Sequence, residues 1–218
     1  MGRRGTGETE GAKGETLQSL ESLPSLKAPQ PPQKGFIPPH GGYEDLLAYQ
    51  RALVVYDATV YFCNRFLNRR DRTFDQMVQA ARSGKQNILE GSDASGTSKE
   101  AEIKLTGVAK ASQTELLEDY RDFMRTRRIE EWPATHPYAL RLRRLCRTPG
   151  ANYETFKKGI EHPDPAICAN VIAGLVKVTH LLDRLLHRLE QDFLREGGLR
   201  ERMTRARLAA RASQQSHS

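Results

Sequence analysis

The sequence predicts an all-α protein: an antiparallel four-helix bundle over residues 43 to 198, with a disordered N-terminal leader, an insertion between the third and fourth helices, and a basic C-terminal tail. Apolar residues recur at steps of three and four along four long segments, and no segment alternates as a strand does. Proline and glycine are concentrated outside these segments. The 218 residues, 38% of them hydrophobic, suit one core of this kind.

Residues 1 to 42 predict the disordered leader. This segment contains six of the eleven prolines and eight of the seventeen glycines, and it has no sustained apolar period. Arg3 and Arg4 are followed by polar and small residues, whereas a signal peptide needs an apolar stretch at this place. We therefore expect a cytoplasmic protein.

The first two predicted helices lie between residues 43 and 91. The first carries a single apolar stripe over residues 43 to 67 and ends in the polar segment 68 to 72. The second begins at Thr73, which has the capping-box spacing to Gln76, because a hydroxyl and an amide three residues apart satisfy each other's free backbone donors. Gly91 suits the left-handed turn that ends many helices.

The third predicted helix is the longest. It follows a break at Gly91 or over residues 92 to 96, and Thr97 and Glu100 repeat the capping-box spacing at its start. Its apolar pattern continues to Arg128, which corresponds to roughly 48 Å of helix at 1.5 Å per residue.

A proline-rich connector separates this helix from the fourth. Residues 131 to 165 contain five prolines and room for a short helix at 138 to 146. Asp164 and Pro165 predict the start of the fourth helix, because the carboxylate caps free N–H groups and proline fits the first turn. The two glycines at 197 and 198 predict its end, and the basic tail occupies residues 199 to 218.

The positive charge is unevenly distributed along the chain. The net charge is +7; the connector carries six basic and four acidic residues, and the tail carries five and one. Guanidinium groups bind phosphate through two donors and stay charged, so we expect these arginines to contact the backbone of RNA or DNA. The alternative is that they solvate a surface and pair with nearby carboxylates. The candidate nucleic-acid-binding residues are Arg125, Arg127, Arg128, Arg141, Arg143, Arg144, Arg147, Arg200, Arg202, Arg205 and Arg207, with Arg211 in the same tail.

A cluster of polar residues lies on the second predicted helix. It includes Gln79, Gln86 and four residues whose spacing places them near one another on the helix surface. We interpret it as a hydrogen-bond network, buried or at an interface, that fixes the register of the helices. An acid–base site is the alternative interpretation. The residues of the predicted network are Gln76, Arg82, Asn87 and Glu90.

Motifs for catalysis or metal binding are absent from the sequence. It contains no GxSxG, no phosphate-binding GxxxxGK[ST], no CxxC pair, and no Glu followed three residues later by His. His180 and His187 can share a helix face, but two histidines without further ligands are more typical of exposed or hydrogen-bonded side chains. Lys177 and Asp183 also interrupt the longest apolar stretch. We expect no enzyme activity, no metal, no cofactor and no membrane span.

The run from Gln76 to Gly91, with Asn87-Ile88 and Glu90-Gly91 as its most specific elements, resembles the four-helix-bundle proteins of the 23S rRNA-intervening-sequence type. The segments Tyr43 to Leu46 and Ser98 to Glu100 extend the resemblance, which covers about residues 42 to 128. The chain is most similar to the subgroup called four helix bundle suffix domain proteins.

This resemblance implies a non-catalytic accessory module. A related branch, the accessory variability protein of diversity-generating retroelements, is a basic bundle that forms a pentameric ring and binds nucleic acid. We therefore expect a homo-oligomer, with a pentamer as one option, that binds the backbone of RNA or DNA. The alternative is a protein–protein interaction scaffold that binds no nucleic acid.

Overall fold

A computed structural model describes residues 42 to 177 and 180 to 215 of the chain. No strand occurs in these ranges, so the predicted all-α class is confirmed. The predicted leader lies outside the described residues, apart from Gly42. After a 3-10 turn at Tyr43–Asp45, the α-helices are α1 (Leu47–Phe66), α2 (Arg72–Ala94), α3 (Lys99–Thr126), α4 (Pro137–Cys146), α5 (Tyr153–Ile160), α6 (Pro165–Lys177), α7 (His180–Glu196) and α8 (Leu199–Gln215).

The ends of α2 differ from the expected ones. Asp71, rather than Thr73, caps its start, because an Asp71 carboxylate oxygen accepts a hydrogen bond from the Thr73 backbone N–H at 3.0 Å. This bond lowers the pKa of Asp71. At the other end the helix continues past Gly91 to Ala94. A Cβ at Gly91 would lie 3.4 Å from the Glu102 carbonyl oxygen, so this glycine serves close packing on α3 rather than a turn.

The connector and the tail contain more helix than the sequence predicts. α4 matches the short helix expected at 138 to 146, but α5 is an additional helix. It begins at a capping box in which Asn152 and Thr155 exchange hydrogen bonds. The predicted tail forms α8 as far as Gln215, and Gly197, with a φ of 72°, makes the expected left-handed turn between α7 and α8.

Neighbouring long helices run antiparallel. The Ser83 and Ser112 hydroxyl oxygens lie 2.9 Å apart on α2 and α3, and Gly91 faces Leu105 on the same pair. Residue numbers therefore rise along α2 as they fall along α3. α1 packs on α2 in turn, and Lys85 of α2 lies over the ring of α1 Tyr56.

The segments α6 and α7 pack along α3 in the opposite direction. The Lys110 ammonium pairs with the Asp183 carboxylate at 2.5 Å, and Glu100 lies close to Gly198 just beyond α7. α1 also packs on α6, while α4 and α5 both pack on α6 from outside. The long helices thus share one core, and the connector helices cover part of it.

An aromatic cluster lies at the centre of this core. Phe62 of α1 meets Tyr120 and Phe123 of α3 edge to face, with ring centroids 5.0 and 4.8 Å apart. Phe62 and Tyr120 are fully buried. The Tyr120 hydroxyl donates to the Thr59 hydroxyl at 3.2 Å, so its polar atom has a partner inside the core.

The stretch Pro165–Gln215 contains, among the described residues, an 18-residue window apolar enough to cross a membrane by length and composition. Its mean hydropathy is 1.5, and 60% of the window is buried within the protein. Buried core helices commonly have the same composition.

Candidate nucleic-acid interface

Three of the predicted arginines lie on α4 and a fourth, Arg147, directly follows its last residue; these four, together called the α4 arginines, are all exposed. Three of them, together with Leu140, line an open surface depression of about 370 Å³. The Arg143 guanidinium donates to the backbone carbonyls of Ala134 and Ala139 rather than to a carboxylate. Within the described residues none of the α4 arginines forms an ion pair; they are Arg141, Arg143, Arg144 and Arg147.

The three arginines at the end of α3 differ in their surroundings. Arg125 pairs with Asp122 at 2.7 Å. Arg127 lies over the Phe123 ring, with its guanidinium carbon 3.9 Å from the ring centroid, and its charge contributes to lowering the pKa of Asp71. Arg128 is exposed at the point where the helix ends, with a left-handed φ of 56°. Of these three, only Arg125 forms an ion pair with a carboxylate in the described part of the chain.

The tail arginines lie on α8, a helix with no buried residue. Arg202 is half-buried and donates to the Gly96 carbonyl at 3.3 Å, and Arg205 donates to the Glu196 carbonyl. None of the α8 arginines has an acidic side chain within ion-pair distance in the described part of the chain. The exposed members are Arg200, Arg205, Arg207 and Arg211.

The predicted arginines do not form one continuous surface. The contact between Arg202 and Gly96 places the start of α8 beside the turn between α2 and α3, at the N-terminal end of α3. Arg125, Arg127 and Arg128 lie at the other end of this 28-residue helix, roughly 42 Å away. The structure therefore separates the α8 arginines from those of α3.

The predicted polar network on α2 is not formed within the chain. Gln76, Arg82 and Glu90 are exposed, and across the described residues they make no hydrogen bond to one another or to Asn87. Instead, the Asn87 amide donates to the Ser83 carbonyl at 2.9 Å, and the Ser83 hydroxyl contacts that of Ser112. The spacing of Ser83 and Asn87, one turn apart on the same face, was the available signal for this bond.

A buried arginine that the sequence analysis did not single out joins α1 to the connector. Arg51 is 5% exposed, and its guanidinium donates to the carbonyls of Cys146, at 2.9 Å, and Ala151. It also lies 5.7 Å from the centroid of the Phe156 ring. Burial lowers the pKa of Arg51. Its position on the apolar stripe, four residues before buried Val55, was the signal in the sequence.

Burial shifts the pKa values of several ionisable groups toward the neutral form. Burial raises the pKa of both the Cys63 and the Cys168 thiols to about 12, so they are not thiolates at neutral pH. Burial and the neighbouring carboxylates of Glu115 and Asp122 raise the pKa of Asp119 to about 6. Within the described ranges, no group of three or more His, Cys, Asp or Glu side chains is arranged to hold a metal ion.

Comparisons of the chain with protein-family models, with curated proteins and with solved structures find no match.

Replacing Arg51 by Met is expected to lower the free energy of unfolding by about 2–4 kcal/mol, because the buried carbonyls of Cys146 and Ala151 lose their donors. Urea unfolding at neutral pH measures the change. Arg65 is an exposed arginine on the same helix, and its replacement by Met should change stability by less than about 0.5 kcal/mol. Equal stabilities for the two variants would contradict the role assigned to Arg51.

The Asp119→Asn variant is expected to gain stability relative to the wild type as the pH rises from 4 to 7. The folded-state pKa of about 6 is above the ordinary value of 3.8, so the folded protein binds the proton more tightly than the unfolded chain. The Asp119 contribution to stability is therefore present at pH 4 and is lost as the carboxyl ionises toward pH 7. Thermal melts of both proteins across this range test the prediction, and a constant difference in Tm would refute it.

Proposed function

We propose that this protein is a non-enzymatic, homo-oligomeric helical accessory protein that binds the backbone of RNA or DNA through arginine-rich surfaces. Its principal support is the charge balance at the predicted sites: of the eleven arginines, Arg125 alone forms an ion pair with a carboxylate within the described ranges. An uncompensated guanidinium gains more from a phosphate than one already paired, because each contact neutralises a phosphate and releases counterions.

We further propose that α1, α2, α3 and the α6–α7 segments form an antiparallel four-helix bundle of the 23S rRNA-intervening-sequence type. The antiparallel packing of these helices around the Phe62–Tyr120 cluster supports this arrangement. Residues 131 to 165 are then an insertion that adds α4 and α5 to the outside of the bundle. The insertion carries four of the proposed binding arginines, Arg141, Arg143, Arg144 and Arg147.

A homo-oligomer, with a pentamer as one option, agrees with the apolar side chains that remain exposed on the long helices. Leu47 of α1 is 44% exposed, and Val108 of α3 is 41% exposed. The outward-facing polar residues of α2, Gln76, Arg82 and Glu90, offer hydrogen bonds to a second subunit. We also propose a cytoplasmic location, in agreement with three free, buried cysteines.

A protein–protein scaffold is the second candidate function. It is supported by the apolar side chains exposed around α7 and α8, where Leu194 is 77% and Leu208 is 59% exposed. An isolated helix of 17 residues is marginally stable in water, so a partner along α8 would stabilise it.

Static light scattering tests the oligomeric state of the purified full-length chain. The expected mass is a whole-number multiple of 24.6 kDa, and a multiple of five would support the pentamer. Replacing Leu47 by Glu should shift the mass toward the monomer if α1 lies in the interface, whereas the same substitution at Leu194 tests α7. A monomer at all concentrations would exclude the homo-oligomer.

Nucleic-acid binding is expected to weaken steeply with salt, and the loss should depend on the α4 arginines. Replacing Arg143, Arg144 and Arg147 together by Gln should reduce the slope of log K against log salt for duplex DNA by about 2–3. Fluorescence anisotropy with duplex DNA, single-stranded DNA and structured RNA between 50 and 300 mM KCl, a range set by the usual salt response, measures this.

The matched control is an α7 variant in which Arg184, Arg188 and Arg195 are replaced by Gln. It removes the same three charges at positions outside the proposed surfaces, so a much smaller change is expected. An equal loss of nucleic-acid affinity in both variants would show that binding depends on net charge rather than on the α4 arginines. Absence of binding to all three nucleic acids at low salt would exclude the proposed function and leave the scaffold.

A further inference from the structure

The connector helices border a cleft that shares Arg141 with the α4 arginines but is otherwise lined by different residues. α4, α5 and α6 surround a cavity of about 350 Å³, which is within the usual size range of ligand pockets. Its floor is apolar and includes Leu142, Phe156 and Val171. Phe156 is 3% exposed, so the floor belongs to the folded core rather than to a surface groove.

One wall of the cleft is aromatic. Trp132 stacks on His136, with ring centroids 4.7 Å apart and planes 10° from parallel. Tyr138 lies 5.3 Å from Trp132, and 57% of it is exposed. The neighbouring rings hold Tyr138 in place while much of its own ring stays accessible. An accessible, positioned tyrosine beside an apolar floor is a surface on which a flat aromatic group can stack.

The rim of the cleft is cationic. Arg141 lies three residues after Tyr138 on α4, so the two side chains are neighbours on the helix surface. Lys158 of α5 also lines the cleft, and neither cation has an acidic partner within the described part of the chain. The one carboxylate at the rim, that of Glu154, is already paired with Lys157 at 3.1 Å.

His162 adds a hydrogen-bond donor at the same rim. Its Nδ1 accepts a hydrogen bond from the Asp164 backbone N–H at 3.1 Å, which leaves Nε2 to donate. Cations, a hydrogen-bond donor and an aromatic face thus converge on one apolar cavity. This combination matches a planar base that carries a phosphate.

We propose that this cleft binds one unpaired base of a single-stranded nucleic acid. The base stacks on Tyr138 above the apolar floor, and the adjoining phosphate contacts Arg141 and Lys158. This inference rests on the proposed function, to which it adds a preference: the arginine surfaces accept any phosphate backbone, whereas the cleft accepts only a base that is not paired. The protein should therefore bind single strands more tightly than duplexes of equal charge.

Trp132 makes the cleft directly observable, because it is the single tryptophan of the chain. Titration of the full-length protein with a ten-nucleotide oligouridylate should quench its fluorescence saturably. An oligomer with the same number of phosphates but no bases should bind more weakly and leave the emission unchanged. Inorganic phosphate, the third probe, should also leave it unchanged.

Two variants of Tyr138 test the stacking contact. Tyr138→Ala should weaken binding of the oligouridylate about tenfold or more, whereas Tyr138→Phe retains the ring and should bind as the wild type does. Arg141→Gln should weaken oligouridylate binding while leaving the quenching at saturation intact. Leu53→Ala is the control, because Leu53 is exposed on α1, outside both the cleft and the arginine surfaces.

Specific results overturn the inference. Equal affinity for the oligouridylate and the base-free oligomer, or an unchanged affinity of Tyr138→Ala, would refute the cleft site while the backbone-binding function stands. Absence of binding by every nucleic acid would refute both. Saturable quenching by decanoate without any response to oligonucleotides would assign the cleft to apolar carboxylates and refute the base site.

Discussion

The position of the connector depends on one buried guanidinium. Arg51, on the core face of α1, donates to the carbonyls of Cys146 and Ala151, at the end of α4 and just before α5. Buried carbonyls without donors are unfavourable, and so is a buried charge without partners, so each side of this contact requires the other. The contact holds the connector helices against α1, and in doing so it places the α4 arginines and the aromatic cleft on the outside of the long helices.

Core and surface follow different rules in this molecule. The core is held by apolar and aromatic contacts, and the buried Tyr120 hydroxyl has its hydrogen-bond partner, Thr59, inside it. Several surface cations pair with acids along the helices, as Lys110 does with Asp183. The proposed binding arginines are mostly left without such partners. Because they lie near both ends of α3, one polyanion that reached both groups would span roughly 42 Å, or about 12 base pairs of duplex.

The helices themselves were largely predictable, because the apolar period of a helix is a local property of the sequence. α1, α2, α3 and the left-handed turn at Gly197 lie close to where the pattern placed them, and α6 and α7 lie within the range predicted for the fourth helix. The ends of α2 were less predictable, since Asp71 and Thr73 are both good caps and only the backbone path chooses between them. Glycine is a common residue at helix ends, but Gly91 lies within α2 and its role is close packing on α3. α5 was missed because eight residues are too few to show a clear period.

The sequence by itself determined the all-α class, the course of the long helices and the excess of arginine in the connector and the tail, since each is a property of neighbouring residues. Only the tertiary structure decided which side chains meet. Arg51 reaches Cys146 across 95 residues, and Trp132 and Tyr138 come to share a cleft with Lys158 of another helix. It also left Gln76, Arg82 and Glu90 apart, although their spacing suggested a network. Such meetings depend on how the helices pack, and packing is decided by the whole core at once rather than by any local pattern.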